Sequence, residues 1–505
     1  MTTFYHHPAL LPGEKQKWTG LHEAGRSLAV AEAASKHKGL TVFVTKSAQQ
    51  AAIQSRAIRF FSNQNNLPVF NFPDWETLPY DMFSPHQDIV SARLLALSKL
   101  PHTAQGILLV PIATLMHRIA PVDFVSSRTF SYCVGTQLDR EHLLRQLSLA
   151  GYKRVETVFE HGEFTFRGSI IDIFPMGAKT PFRMDLLDDD IESLRLFDPE
   201  SQRTLQTVDQ IDLLPAKEFP MDKQAINQFL NNWHDTFDHN PDKCPVYRDI
   251  KDGITPQGIE YYLSLFFDQT ATLFDYLPSN TQLFTDDGIE TAAEHFWGDI
   301  NYRYDEYCID PERPILKPNA LFLPVDHVFH NIKQFRRTVL ENPKSHLENN
   351  DPQIYPVPDV SINAKQTSPL AKLSAFIGEN KNQGGSKRVL FCAESAGRQE
   401  ILLELLKSIE ITPFEVASWD DFLLSTKLHC IIVHPLDQGI FSPSANICLI
   451  TEGELFGQQV MQRRRRSKVS ESPDYVFKSL AELKINAPVV HIEHGVGRYQ
   501  GLITL

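Results

Sequence analysis

Short uninterrupted apolar runs alternate with helix-length segments at both ends of the chain, and this rhythm restricts the fold more than any other feature. "LTVFVT" (40 to 45) and "GILLVPIATL" (106 to 115) are too short for helices and too apolar for half-exposed strands, so they read as strands buried on both faces. Between them lie "AQQAAIQSRAIRFFSNQ", the strand-like "LPVFNFP", and "PHQDIVSARLLALSKLP". The expectation is a parallel sheet covered by helices up to about residue 125. From residue 150 the pattern becomes short alternating stretches cut by Gly, Pro and Asp, as in "EFTFRGSIIDIFP" and "PFRMDLLDDD". This predicts an antiparallel strand-rich unit, assigned to 126–214.

Residues 215–345 are helical and aromatic and are expected to complete the first domain, which makes 1–125 plus 215–345 one α/β domain with 126–214 inserted. A Pro-, Asn- and Ser-rich linker follows, ending at 346–349. "KRVLFCAES", "LHCIIVHP" and "ANICLITEGELFG" then repeat the strand and helix rhythm in a small third α/β domain, 350–455. A basic linker with "MQRRRRSK" occupies 456–475, and 476–505 begins a new strand pair. The last residues carry no turn, cap or polar tail, which is expected of a portion of a larger protein. At 505 residues the chain exceeds what one core can organise.

Composition excludes several classes. With 62 acidic and 49 basic residues the net charge is -13, so any nucleic-acid contact must be local. The six cysteines are scattered with no CxxC pair, which predicts reduced thiols and no zinc site. His491, Glu493 and His494 are close in sequence, but in a strand they would not all face one side, so no metal is expected. No charged-then-apolar leader opens the chain and no apolar run is long enough to span a bilayer, which predicts a cytoplasmic protein with no membrane contact.

"TGLHEAGRS" puts Gly20, Gly25, Arg26 and Ser27 where a phosphate-binding loop carries Gly, Gly, Lys and Ser. Ser27 keeps the hydroxyl, but Arg26 offers a planar fork in place of a compact ammonium. Glu23 puts a carboxylate among groups that should face phosphate. "KQKWTG" reads as a poor strand, and no strand ending in Asp-Glu follows; Glu452 and Glu454 lie in another domain. A Gly-flanked turn opening a packed helix is the favoured reading.

In "PFRMDLLD" the period of two turns Phe182, Met184 and Leu186 one way and Arg183, Asp185 and Leu187 the other. In "EFTFRGSI" Phe164 and Phe166 face inward, leaving Thr165, Arg167 and Ser169 outside. Two readings stand: a solvated face whose arginines pair with Asp185 or Asp188, or an interface with arginine anchors beside an exposed leucine. Gly168, Asp172, Pro175 and Gly177 read as structural.

"DWETLPYDMFSPHQDIVSARL" (74 to 94), with the entry at Gly20 to Ser27, resembles the first domain of the UvrB family. "HGEFTFRGSIIDIFPMG" (161 to 177) and "PFRMDLLDDDIESLRLFDPESQRT" (181 to 204) resemble its second, UvrA-binding domain. With "VVHIEHGVGRYQGLITL" added, the order of strings is similar to the amino-terminal half of bacterial transcription-repair coupling factors. The resemblance implies an α/β multidomain chain: a UvrB-like α/β domain, an inserted antiparallel UvrA-binding domain, a third small α/β domain, and the start of a β-rich, CarD-like module. It implies UvrA docking at Arg167, Arg183 and Leu187, with Asp185 beside them, and a degenerate nucleotide site at Gly20, Gly25, Arg26 and Ser27. The RNA polymerase β subunit would be contacted through Gly495, Gly497, Arg498 and Tyr499.

No catalytic residue and no cofactor are implied for these residues. ATP and Mg would serve a DNA-translocating motor beyond residue 505, acting on double-stranded DNA. The implied role is recruitment of UvrA to RNA polymerase stalled at damage. The competing reading is a UvrB-like nucleotide-dependent helicase or damage loader, against which "DMFSPHQDIVSAR" runs into a helix without an aromatic strand-clamping hairpin.

Overall fold

The computed structural model describes residues 4–5, 10–62, 67–238, 240–341, 354–363, 368–378, 387–457, 488–491 and 495–498. Two units divide the chain, Met1–Gly457 and Gln458–Leu505. The first contains three sheets of five or six strands.

The first sheet is parallel throughout and runs Lys15–Trp18, Arg336–Leu340, Gln282–Asp286, Leu40–Thr45, Gly106–Pro111, Val69–Asn71. Its central strands, Leu40–Thr45 and Gly106–Pro111, are buried at every position. "GILLVPIATL" is strand only to Pro111; Ile112–Leu115 turns into a helix, because a proline has no N–H for further strand pairing. "KQKW", read above as a poor strand, is the edge strand Lys15–Trp18. Its lysines are exposed while Gln16 and Trp18 are half-buried, so an edge position makes the polar alternation compatible with pairing.

Two helices follow from the same sequence logic. Glu23–Lys36 carries alanines on two sides. Ala29, Val30, Ala33 and Ala34 pack on Phe43, Leu109 and Phe284 of the sheet. Ala24, Leu28 and Ala31 pack instead with Trp419, Phe422, Leu390 and Leu449 of the third sheet's layer, together with Phe60 and Phe61 from helix Ala48–Phe61. Small side chains let one helix sit between two domains.

Residues between the halves of the first sheet form the second, in the order Thr204–Val208, Asp190–Phe197, Phe182–Leu187, Ile170–Ile173, Glu163–Arg167, Lys153–Arg154. All its pairs are antiparallel except the last. It is fixed to helix Gln87–Lys99 by His161, whose ring bonds Asp88 at 2.9 Å and the Ala178 carbonyl at 2.8 Å, and by Gly177 N–H donating to Ser91 Oγ at 2.7 Å. On the same helix, Arg93 makes a buried 2.5 Å ion pair with Glu218. Helices and 3₁₀ turns from 223 to 322 enclose an aromatic core around Trp233, Tyr261, Tyr262 and Phe266.

The third sheet runs Phe414–Glu415, His429–Val433, Arg388–Ala393, Ile447–Thr451, Ile440–Ser442, parallel except for the last pair. In the second unit, Pro488–His491 pairs antiparallel with Gly495–Arg498. No helix among the described residues is long and apolar enough to cross a membrane.

Candidate functional site

At the phosphate-loop positions the structure closes what a nucleotide would need open. Gly20 takes φ +80°, and the helix begins at Glu23. Arg26 Nη1 donates to Asp286 Oδ1 at 2.6 Å, with both side chains almost fully buried, and Arg26 Nε donates to the Leu21 carbonyl at 3.2 Å. Ser27 Oγ donates to Gln54 Oε1. Burial pushes the Asp286 carboxyl above its usual range while Arg26 and Lys46 pull it back.

Among the described residues no strand ending in Asp-Glu stands beside the loop, but one ending in a single aspartate does. Gln282–Asp286 pairs with Leu40–Thr45 and ends in Asp286, with Asp287 in the turn that follows. "TDDG" resembles a turn in sequence, which concealed it. Asp286 is the acid nearest the loop's arginine, and the two are paired to each other.

The third domain covers the remaining space. His22 Nε2 donates to the Gly439 carbonyl at 3.2 Å, and burial pushes the imidazole pKa below its ordinary value. Arg56 binds Asp437 at 2.7 Å. Glu23, Ala24, Ser27, Gln54, Asp437 and Gln438 surround a cavity of about 10 Å³, room for roughly one water and not for a phosphate group. A Cβ on Gly25 would lie 3.2 Å from the His22 ring and 3.3 Å from the Tyr5 hydroxyl. The donor set does not fit a nucleotide.

The inserted sheet has a built outer face. Met184 and Leu186 are buried and Leu187 is 63% exposed. Phe164 is buried while Arg167 is exposed. Arg167 and Arg183 do not bond Asp185 or Asp188. Asp172, 0% exposed in the middle of Ile170–Ile173, takes both: Arg183 Nε at 2.7 Å and Nη2 at 3.0 Å, and Arg167 Nη2 at 2.9 Å. Strand register explains the choice, since Asp172 stands directly opposite Arg183 on one side and Thr165 on the other. Arg183 also stacks over Phe197 at 4.7 Å, and only 19% of its side chain is exposed, against 51% for Arg167. The Asp172 carboxylate holds the Arg183 guanidinium firmly charged, raising its pKa.

Asp185 is engaged as well, by Arg195 and by Ser193 Oγ at 2.7 Å. The face thus brings together Arg167, Arg183, Asp185 and Leu187, and adds Asp172, which the sequence reads as structural, and Arg195, which it does not single out. The available signal for Asp172 was a lone charge inside "IIDI" facing a strand that carries an arginine.

Gly495, Gly497 and Arg498 lie in the second unit's strand pair, Gly495 opposite His491 and Gly497 opposite Val489. Gly497 is thus a mid-strand position. Tyr499 and the basic run Arg463 to Arg466 lie outside the described residues.

Comparison with known proteins matches two family models, the UvrB interaction domain over residues 130–219 and the MFD, D3 domain over 382–455. The chain is similar to the transcription-repair-coupling factor of Escherichia coli K12, 41% identical over 98% of this chain and 42% of that protein. It is likewise similar to the factor of Haemophilus influenzae, 40% identical over 95% of this chain and 41% of that protein. The Bacillus subtilis factor is 25% identical over 97% of this chain and 42% of its own length. The chain therefore spans about two fifths of the length of these relatives.

Proposed function

We propose, for a chain that belongs to the transcription-repair coupling factor family, that its work is recruitment: the outer face of the inserted sheet docks UvrA and brings it to RNA polymerase stalled at DNA damage. The observation that carries this reading is Arg167 beside Asp172 and Arg183, with Leu187 exposed on the same strand as Arg183, inside the span matched by the UvrB interaction domain. A charged fork next to an exposed leucine is the pattern of an interface anchor. These residues supply no catalysis and hold no nucleotide. ATP and Mg act in a DNA-translocating motor elsewhere in the longer protein, and Gly495, Gly497, Arg498 and Tyr499 belong to the module that meets the polymerase β subunit. The protein acts in the cytoplasm on double-stranded DNA.

The helicase alternative loses its support where Arg26 meets Asp286. The test of recruitment is calorimetric titration of UvrA into this chain without nucleotide. Binding by the wild type that Arg167→Ala weakens at least tenfold, with the thermal melt unmoved, supports the reading. Equal binding by both proteins, or none by the wild type, overturns it.

A further inference from the structure

Resting on the UvrA reading, we infer that Asp172 is a positioning residue for that face: its buried carboxylate fixes Arg183 as a bracket and orients Arg167 so that the unused arm of its guanidinium receives a carboxylate of the partner. The two arginines are unequal. Arg183 commits Nε and Nη2 to Asp172, directs Nη1 to the Gln202 carbonyl at 3.4 Å, and lies over the Phe197 ring. Little of its donor capacity remains for a partner. Arg167 gives Asp172 only Nη2, at 2.9 Å, and half of its side chain is open to solvent.

A flexible arginine loses rotamer freedom when it is captured, and a guanidinium already held at one corner loses less. The geometry favours a carboxylate because the planar fork matches two acceptor oxygens at once. Asp172 can serve both arginines because it lies in the strand between theirs, directly opposite Arg183 and diagonal to Arg167. Asp185 is already engaged by Arg195 and Ser193, which leaves Asp172 to organise this pair.

The decisive experiment is a double-mutant cycle on UvrA binding with wild type, Asp172→Asn, Arg167→Ala and the double variant, each titrated by calorimetry. Each single change is expected to weaken binding about tenfold, and the double to bind within about twofold of Arg167→Ala alone, since Asp172 acts through Arg167. Losses that multiply to roughly a hundredfold overturn the inference, because they mean that Asp172 acts on binding independently of Arg167. Arg167→Lys tests the same point at a half-exposed position without disturbing the sheet: one ammonium cannot present a planar fork, so it should bind no more than threefold better than Arg167→Ala, and full retention overturns the inference.

A measurement independent of UvrA separates the two readings. The heteronuclear NOEs of the Arg167 and Arg183 Nε–Hε groups should report ordered side chains in the wild type and mobile ones in Asp172→Asn, with the backbone amide spectrum preserved. Unchanged NOEs overturn the positioning role. If the wild type binds no UvrA, the partner reading fails, and the NOEs still decide what Asp172 does.

Discussion

Arg26 and Asp286 meet at 2.6 Å across two elements 260 residues apart in sequence, both nearly free of solvent contact. In a working phosphate loop the cation at this position faces the phosphates of a nucleotide, whereas Arg26 faces Asp286. Here they neutralise each other directly, and the site holds itself shut.

Removing one partner leaves a buried charge uncompensated, at a cost of roughly 3–5 kcal/mol. Arg26→Ala is therefore expected to lower the urea midpoint sharply. Arg26→Met combined with Asp286→Leu should recover most of that loss, because an apolar pair needs no desolvation. A double variant as unstable as the single one would show that the pair is not the cause.

Glu260 gives a pH dependence with a definite sign. Its side chain is 8% exposed and accepts a 2.7 Å bond from Ser84 Oγ. Burial, helped by the charge of Glu218, pushes its pKa up to about 7, against a pull from Ser84 and Lys217. The folded pKa lies above that of an unfolded glutamate. The contribution is therefore full below the unfolded pKa, and it falls as pH rises towards 7, by up to about 3 kcal/mol. Glu260→Gln should reduce the stability difference between pH 5 and pH 8 by about that amount in urea titrations. An unchanged difference would assign the pH dependence to other groups.

Leu187 separates binding from folding. With 63% of it exposed, Leu187→Ala should shift stability by no more than about 0.5 kcal/mol. The same change should weaken UvrA binding severalfold in the calorimetric titration. The arginines differ here: Arg183→Glu should lower the melt as well as the affinity, because it abandons the buried Asp172.

Gly177 tests the seam between the inserted sheet and helix Gln87–Lys99. It takes φ +82°, and a Cβ there would stand 2.9 Å from Leu214 Cδ1 and 3.1 Å from Leu95 Cδ1. Strain and overpacking together predict a loss of roughly 2–3 kcal/mol for Gly177→Ala in thermal or urea unfolding. A loss under 0.5 kcal/mol would show that the seam yields.

What was legible in the sequence follows from how local each determinant is. Leu40–Thr45 and Gly106–Pro111 were readable because central parallel strands must be apolar on both faces. The outward positions of Arg167 and Leu187 followed from a period of two. Lys15–Trp18 was hidden because an edge strand tolerates lysines. The partner of the two arginines was hidden because it depends on register between strands, which nothing local in "IIDI" specifies. The cover that Asp437 and Gly439 place over the loop was equally invisible, since it depends on how two distant domains pack.

The helix Glu23–Lys36 has one side on the first sheet and the other against the third domain. During synthesis its Ala24, Leu28 and Ala31 stripe emerges some 360 residues before Leu390, to which it packs. At 5–20 residues per second, the stripe waits roughly twenty seconds to just over a minute for its cover. Two alanines flanking the single Leu28 suit that interval, because they bury well once covered and attract little while exposed. A larger apolar residue at Ala24 or Ala31 would join Leu28 in a continuous sticky surface long before the domain that hides it exists.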